Sequence, residues 1–318
     1  YSLYVMFYPQ LVAGPIERPQ NILHQFHEKH DYDFEQVKSG LMQMAFGMFK
    51  KVVIADRLAI VVDQVYARPT EQNGLAVVVA CFFYAFQIYC DFSGYCDIGI
   101  GAARVMGFRL MDNFNMPYIS KTIGEFWSRW HISLSTWFRD YLYIPLGGNR
   151  VSATRRFFNL FVVFLISGLW HGASWTFVIW GAVHGMYMVA GILKAKVYKS
   201  LGYVQNNGML SSSFQTITTF LLVCFAWIFF RSPDMVTARA IIKKIPSIKI
   251  TDQLGNLASG PALIFSLLLI AGLLAKEKYY PILPTKRTPF FYLQFILLIM
   301  LCYFFGVFNQ QQFIYFQF

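Results

Sequence analysis

The chain carries apolar stretches, free of formally charged residues, that are long enough to cross a lipid bilayer. Residues 212–230, 257–275 and 290–308 contain no Asp, Glu, Lys or Arg, and residues 157–193 contain none over a longer run. A membrane-spanning α-helix needs about 20 apolar residues. The short alternating segments of a transmembrane β-barrel are absent from the sequence. These runs predict an all-α, polytopic transmembrane protein.

The charge distribution argues against a nucleic-acid partner. The net charge is +11, but charged residues make up only 14% of the chain, against about 25% in soluble domains. The basic residues cluster between apolar runs, for example at 150–156 and 194–199, as charges that flank membrane spans do. We therefore expect a lipid bilayer and no nucleic acid around this protein. Successive loops are all basic, so the charges do not set the membrane orientation.

Two segments predict departures from simple spanning helices. Residues 157–193 would extend roughly 55 Å as one helix, against a hydrocarbon core of about 30 Å, so we expect a break at one of the glycines. Thr122 and Glu125 have the spacing of a helix capping box. Apolar residues then follow at helical spacing, which predicts an amphipathic, re-entrant or interfacial helix. They are Phe126, Trp127, Trp130, Leu134, Trp137 and Phe138.

Histidines inside the apolar sequence are the first candidates for chemistry. With Phe157 at the interface, His171 would lie about 21 Å along a straight helix. Ionisable groups at that depth tend to face a functional cavity, and a neutral imidazole accepts a proton from a hydroxyl near pH 7. A hydrogen bond between helices is the alternative. His184 would face away from His171 unless the chain breaks near Gly172 or Gly181, which favours a packing role for it.

The other polar candidates are less distinctive on their own. His131 follows Trp127 by one turn and lies near Arg139 and Asp140, as a histidine at a membrane boundary would. Asp91 begins a polar segment after an apolar run, where it either caps a helix or lines a polar path. The sequence has no P-loop, GxSxG, HExxH or CxxC motif and no complete dinucleotide fingerprint, so we expect no metal and no disulfide framework.

Five segments occur in an order that resembles the membrane-bound O-acyltransferases. They are LVAGPIERP, DFSGYCDIGIGAARVMGF, NFNMPY, EFWSRWHISLSTWFRDYLYIPLGGNR and SGLWHGASWTFVIWGAVHG. The likeness is greatest to the bacterial alginate and peptidoglycan O-acetylation branch, which is related to the teichoic acid D-alanyl transfer protein. It covers residues 1–318 as one membrane domain, most densely 11–185. The family normally has further helices before LVAGPI, so we expect N-terminal helices to be missing here.

The resemblance implies a catalytic arrangement. His171 would be the general base, and His131 would orient the donor or stabilise the carbonyl oxygen. Trp170, Trp127 and Trp130 would shape an apolar tunnel. Arg139 would attract the donor's phosphates, although membrane-flanking charge explains it equally well. Asp91 is assigned to the same substrate pathway.

The resemblance also implies substrates and a location. The donor would be a cytosolic acyl thioester, acetyl-CoA by preference, with no permanently bound cofactor. The acceptor would be a polysaccharide or cell-wall hydroxyl, reached through an extracytoplasmic acetyltransferase partner, at the bacterial inner membrane. Three alternatives stay open: D-alanyl transfer for teichoic acid, a non-catalytic scaffold for polysaccharide export, and a proton-coupled transporter with His171 and Asp91 as its proton path.

Overall fold

The computed structural model describes residues 1–11, 14–202, 208–254, 257, 259–280, 288–308 and 313. Every regular element within these residues is helical, and they contain no β-strand. The prediction of an all-α protein is confirmed.

The α-helices of the described residues fall in the following chain order. They are α1 (Ser2–Val5), α2 (Pro19–Ile22), α3 (Phe34–Met48), α4 (Asp56–Ala67), α5 (Gly74–Val105), α6 (Ile123–Arg129), α7 (Ile132–Phe138), α8 (Ala153–His171), α9 (Trp175–Ser200), α10 (Met209–Arg231), α11 (Met235–Lys244), α12 (Gly260–Tyr279) and α13 (Thr288–Phe305). Short 3₁₀ helices cover Tyr8–Gln10, His24–His27, Pro69–Glu71, Pro117–Ile119 and Ile245–Ser247. Two π-helical segments, Phe49–Ala55 and Arg139–Tyr143, continue α3 and α7.

Helices α5, α8, α9, α10, α12 and α13 are each long and apolar enough to cross a membrane. The protein is therefore a multi-pass membrane protein, as the uncharged runs predict. Ala258, inside the predicted run 257–275, lies outside the described residues.

The long uncharged run breaks where its length requires it to. Helix α8 ends at His171, and α9 begins at Trp175 after the turn at Gly172. The two helices pack so closely at Gly168 that a Cβ there would collide with the carbonyl oxygen of Phe177. Small residues permit such close approach between membrane helices. The predicted break is confirmed, and it lies at Gly172.

The prediction of one continuous amphipathic helix through residues 122–138 is wrong. Helix α6 ends at Arg129, and α7 begins at Ile132. His131 lies between them with φ +44°, in the left-handed region that interrupts a helix. The expected capping box is present in part: the hydroxyl of Thr122 accepts from the backbone N–H of Glu125 at 3.1 Å, while the carboxylate of Glu125 accepts from the backbone N–H of Lys121 at 2.8 Å.

Close contacts divide the chain into two compact units. Unit 1 comprises Tyr1–Asp63, Phe83–Asn113 and Leu254–Phe318, and unit 2 comprises Gln64–Phe82 and Phe114–Gln253. The single domain expected over 1–318 stays a prediction.

Unit 1 contains a buried ionic network beside α5. Nζ of Lys51 lies 2.6 Å from Oδ1 of Asp91 and 2.7 Å from Oδ1 of Asp56. Tyr89 donates a 2.6 Å hydrogen bond to Oε1 of Glu277, which is on α12. Unpaired charges are costly at membrane depth, so these pairs allow α5 to carry carboxylates inside the unit. All five cysteines are free and buried in the structure.

Candidate active site

His171 occupies the last turn of α8 and is buried inside unit 2. The residue is only 9% exposed. Helix α8 ends at His171, and the chain turns at Gly172. Glycine is needed at the turn because a Cβ there would lie 2.6 Å from the ring of Phe177. The imidazole therefore sits at the end of one helix, facing the start of the next. Its depth in a bilayer stays a prediction.

Aromatic rings surround the His171 imidazole. The ring centroids of Trp180 and Phe230 lie 5.2 and 5.1 Å from it, both edge-on. Trp180 stacks on Trp227 at 5.9 Å. All three of these aromatic residues are about 1% exposed. Such walls exclude water, and electrostatic interactions inside them are stronger than in water.

His131 lies in the same unit, at the break between α6 and α7, and is 4% exposed. Burial first, and then the charge of His171, hold the pKa of His131 well below its usual value of 6.5. Trp130, the chain neighbour of His131, lies 5.0 Å from Trp227, which places this break beside the aromatic rings around His171. The hydroxyl of Ser133 is 3.4 Å from Nδ1 of His131. A non-glycine residue in the left-handed region is an uncommon, strained conformation of the kind that concentrates at functional sites.

His184 lies closer to this centre than its sequence position indicates. The chain turns at Gly172, and both histidines contact the same indole. The ring of Trp180 lies 5.2 Å from that of His171 and 5.1 Å from that of His184. His184 is fully buried. Its Nδ1 accepts a 3.2 Å hydrogen bond from the indole N–H of Trp127.

The predicted tryptophans take different positions. Trp130 is 2% exposed and lies 5.0 Å from Trp227, so it belongs to the buried wall. Trp127 is half-buried and contacts His184. Trp170 is 54% exposed, with its ring 5.0 Å from His171. Its role as a tunnel residue stays a prediction.

The two predicted charged residues have partners of their own. The Arg139 side chain is exposed, and its Nε donates to Oδ1 of Asp140 at 2.7 Å. That hydrogen bond raises the pKa of Arg139. Asp91 is buried in unit 1, where it pairs with Lys51, while both catalytic candidates lie in unit 2. Within the described residues, His, Cys, Asp and Glu form no group of three or more that is arranged to hold a metal ion.

Three residues of this site escaped the sequence analysis. Trp180 and Phe230 contact the imidazole of His171, and Trp227 stacks against Trp180 behind it. Trp227 and Phe230 lie on α10, far along the chain. These two residues on α10 stand in the segment FAWIFF, which is typical of any lipid-facing span. Only the tertiary packing of α10 on α9 separates them from lipid-facing aromatics.

Comparison with known proteins bears on this arrangement. Residues 1–193 match the family model described as MBOAT, membrane-bound O-acyltransferase family. The chain belongs to the membrane-bound O-acyltransferase family. The three buried histidines, His131, His171 and His184, all lie within the matched region.

Curated members of the family are similar over most of this chain. A probable alginate O-acetylase of Pseudomonas aeruginosa is 44% identical over 239 residues, 75% of this chain and 44% of the relative. A peptidoglycan O-acetyltransferase of Helicobacter pylori is 39% identical over 76% of this chain and 46% of its own length. A teichoic acid D-alanyltransferase of Bacillus subtilis is 27% identical over 71% of this chain and 60% of its own length. The chain spans less than half the length of the two O-acetylation relatives.

Proposed function

We propose that this protein is a membrane O-acetyltransferase that moves an acetyl group from a thioester donor to a hydroxyl acceptor. The observation that carries the proposal is that His131 and His171 are both buried in unit 2. His171 ends α8 and His131 lies between α6 and α7, and the two positions are linked by ring contacts from Trp130 through Trp227 and Phe230 to His171. Two relatives of about 40% identity, named for O-acetylation, support the acetyl group as cargo.

His171 acts as the general base in this scheme. The acceptor hydroxyl oxygen attacks the thioester carbonyl carbon while its proton passes to a ring nitrogen of His171. A carbon–oxygen ester bond forms, and the carbon–sulfur bond breaks. The proton then passes from His171 to the departing thiolate, which leaves as a thiol. The reaction returns the imidazole to its neutral form without any further reactant.

His131 stabilises the charge that develops on the carbonyl oxygen. Because its pKa is depressed by burial and by His171, the ring is neutral near pH 7 and keeps one N–H to donate. When the Ser133 hydroxyl donates to Nδ1, that N–H is at Nε2. A preorganised donor in a water-excluded site contributes roughly 10²–10³ in rate.

The identities of donor and acceptor are the finer part of the proposal. We assign acetyl-CoA as the donor and a polysaccharide or cell-wall hydroxyl as the acceptor, since the relatives are named for alginate and peptidoglycan. A separate extracytoplasmic acetyltransferase would receive the acetyl group before the polymer does. The bacterial inner membrane is where cytosolic donor and external acceptor both have access.

D-alanyl transfer is the second candidate, supported by the 27% identical teichoic acid relative. The higher identities of the O-acetylation relatives favour acetyl. An export scaffold would need neither histidine. A proton-coupled transporter would need an ionisable path, and Asp91, its proposed member, is paired with Lys51.

Mass spectrometry of envelope polymers tests the proposal. Cells with the intact gene, without it, and with His171→Ala would be compared. We expect O-acetyl esters only in the first strain, while His171→Ala protein reaches the membrane at normal levels. O-acetyl esters that survive in the His171→Ala strain would overturn the catalytic proposal, and D-alanyl esters in their place would select the second candidate.

A further inference from the structure

The hydrogen bond between Trp127 and His184 sets the chemical form of a buried ring. Nδ1 of His184 accepts the indole N–H of Trp127 at 3.2 Å. A neutral imidazole has one acceptor and one donor nitrogen, so Nε2 of His184 carries the proton. That Nε2 is buried and has no hydrogen-bond partner within the described part of the chain. His184 is thus held in one tautomer and serves only as an acceptor.

The Nε2–H of His184, unpaired in the part of the chain that the structure describes, destabilises the folded protein, so packing alone does not explain a histidine at this position. A buried donor without a partner is destabilising, and an aromatic hydrocarbon ring would fill the same space without that penalty. His184 is in ring contact with Phe126, Trp127, Trp180 and Tyr187, at centroid distances from 5.0 to 6.4 Å. The acceptor nitrogen that bonds Trp127 is the favourable interaction that phenylalanine could not make here.

The acceptor nitrogen joins the two elements that carry the catalytic candidates. Trp127 is on α6, four residues before His131. His184 is on α9, beyond the turn that follows His171. Between His184 and His171 lies Trp180, whose indole N–H also has no partner among the described residues. Within the described residues, Trp180 therefore lies against His171 through ring contact and not through a hydrogen bond of its indole.

We propose that His184 is a positioning residue of the acyl-transfer site, which holds Trp127 by a hydrogen bond and Trp180 by ring contact. Through these indoles it fixes the segment of His131 relative to the ring of His171. The inference rests on the proposed function. Misplacement of reacting groups by about 1 Å costs as much as 10²-fold in rate, so a residue that touches no substrate can still set the rate.

The variants follow from the geometry. His184→Phe keeps a ring and removes the acceptor, and Trp127→Phe removes the donor. His184→Asn keeps an oxygen acceptor close to the position of Nδ1. We expect kcat for acetyl transfer to fall about tenfold in His184→Phe and in Trp127→Phe, with KM within about twofold, and no further fall in the double variant. His184→Asn should restore at least half of the wild-type kcat.

The full chain in lipid nanodiscs, given acetyl-CoA and unacetylated alginate oligosaccharide as the acceptor probe, provides the assay, with thermal unfolding in parallel. Unchanged kcat in His184→Phe, or multiplicative losses in the double variant, would overturn the inference. So would a fall in unfolding temperature with kcat intact. If wild-type protein transfers nothing, the proposed function fails and the inference with it. If His171→Ala abolishes transfer while His184→Phe does not, only the inference fails.

Discussion

Lys50 and Asp97 form a buried ion pair inside unit 1, with Nζ of Lys50 2.5 Å from Oδ2 of Asp97. The hydroxyl of Ser93 accepts a second hydrogen bond from Nζ at 2.8 Å, and Gln43 donates to the other oxygen of Asp97 at 3.0 Å. Burial lowers the pKa of Lys50, but the charges of Asp97 and Glu277 outweigh it, so the pKa is raised and the ammonium stays charged. The pair connects the π-helical segment Phe49–Ala55 to α5.

Replacing only one member of this pair should lower the free energy of unfolding more than replacing both members by apolar residues. Asp97→Ala leaves a buried ammonium without its carboxylate, and such losses cost about 3–5 kcal/mol. Lys50→Met combined with Asp97→Leu removes both charges and should cost less than Asp97→Ala. Denaturant unfolding in mild detergent measures the difference.

An exposed pair provides the control for this prediction. The side chains of Lys29 and Asp31 are 84% and 79% exposed, so Asp31→Ala should change the free energy of unfolding by less than about 0.5 kcal/mol. Equal losses in Asp31→Ala and Asp97→Ala would contradict a special role for the buried pair.

The contact between α8 and α9 should tolerate no added methyl group at Gly181. A Cβ at Gly181 would collide with the carbonyl oxygen of Phe164, whereas a Cβ at Gly191, also on α9, would meet nothing within 4 Å. We expect Gly181→Ala to destabilise the protein by about 1–3 kcal/mol and to lower transfer activity, because His171 ends α8. Gly191→Ala should be neutral or slightly stabilising, because alanine favours a helix interior over glycine. Thermal unfolding and transfer assays on both variants decide, and matching behaviour would be inconsistent with the observed packing.

His131 should make folding stability depend on pH between 5 and 7. Burial and His171 depress its pKa in the folded state below 6.5, so below pH 6.5 the unfolded chain binds a proton there that the folded chain does not. The stability contributed by this site is therefore complete above pH 6.5 and declines as pH falls, by at most about 1.4 kcal/mol per pH unit. Unfolding midpoints at pH 7.5 and 5.5 should differ less in His131→Asn than in wild type. An identical pH dependence would show that His131 is protonated or exposed in the folded state.

The sequence predicted the membrane spans correctly, and it singled out His171 as a catalytic candidate, because both leave local signals. Charge-free runs of sufficient length require spanning helices, and the length of residues 157–193 requires a turn. His171 stands out because an ionisable ring is costly in such a run.

The break at His131 and the walls of the site could not be anticipated, because neither has a local signal. Helical spacing continues from Phe126 through Leu134 to Phe138, and nothing in those letters marks the left-handed conformation of His131. Trp227 and Phe230 read as lipid-facing residues until α10 packs on α9. The partner of Asp91 was invisible for the same reason, since Lys51 is distant in sequence.

The central claim is that the buried imidazole of His171 takes the acceptor's proton during acyl transfer. The direct measurement is transfer of a radiolabelled acetyl group from acetyl-CoA to the acceptor by purified full chain in nanodiscs. The variants are His171→Ala and His24→Ala, the latter replacing an exposed histidine whose side chain is 59% accessible. The account predicts at least a 10²-fold loss with His171→Ala and wild-type transfer with His24→Ala. Transfer at the wild-type rate by folded His171→Ala protein would contradict it.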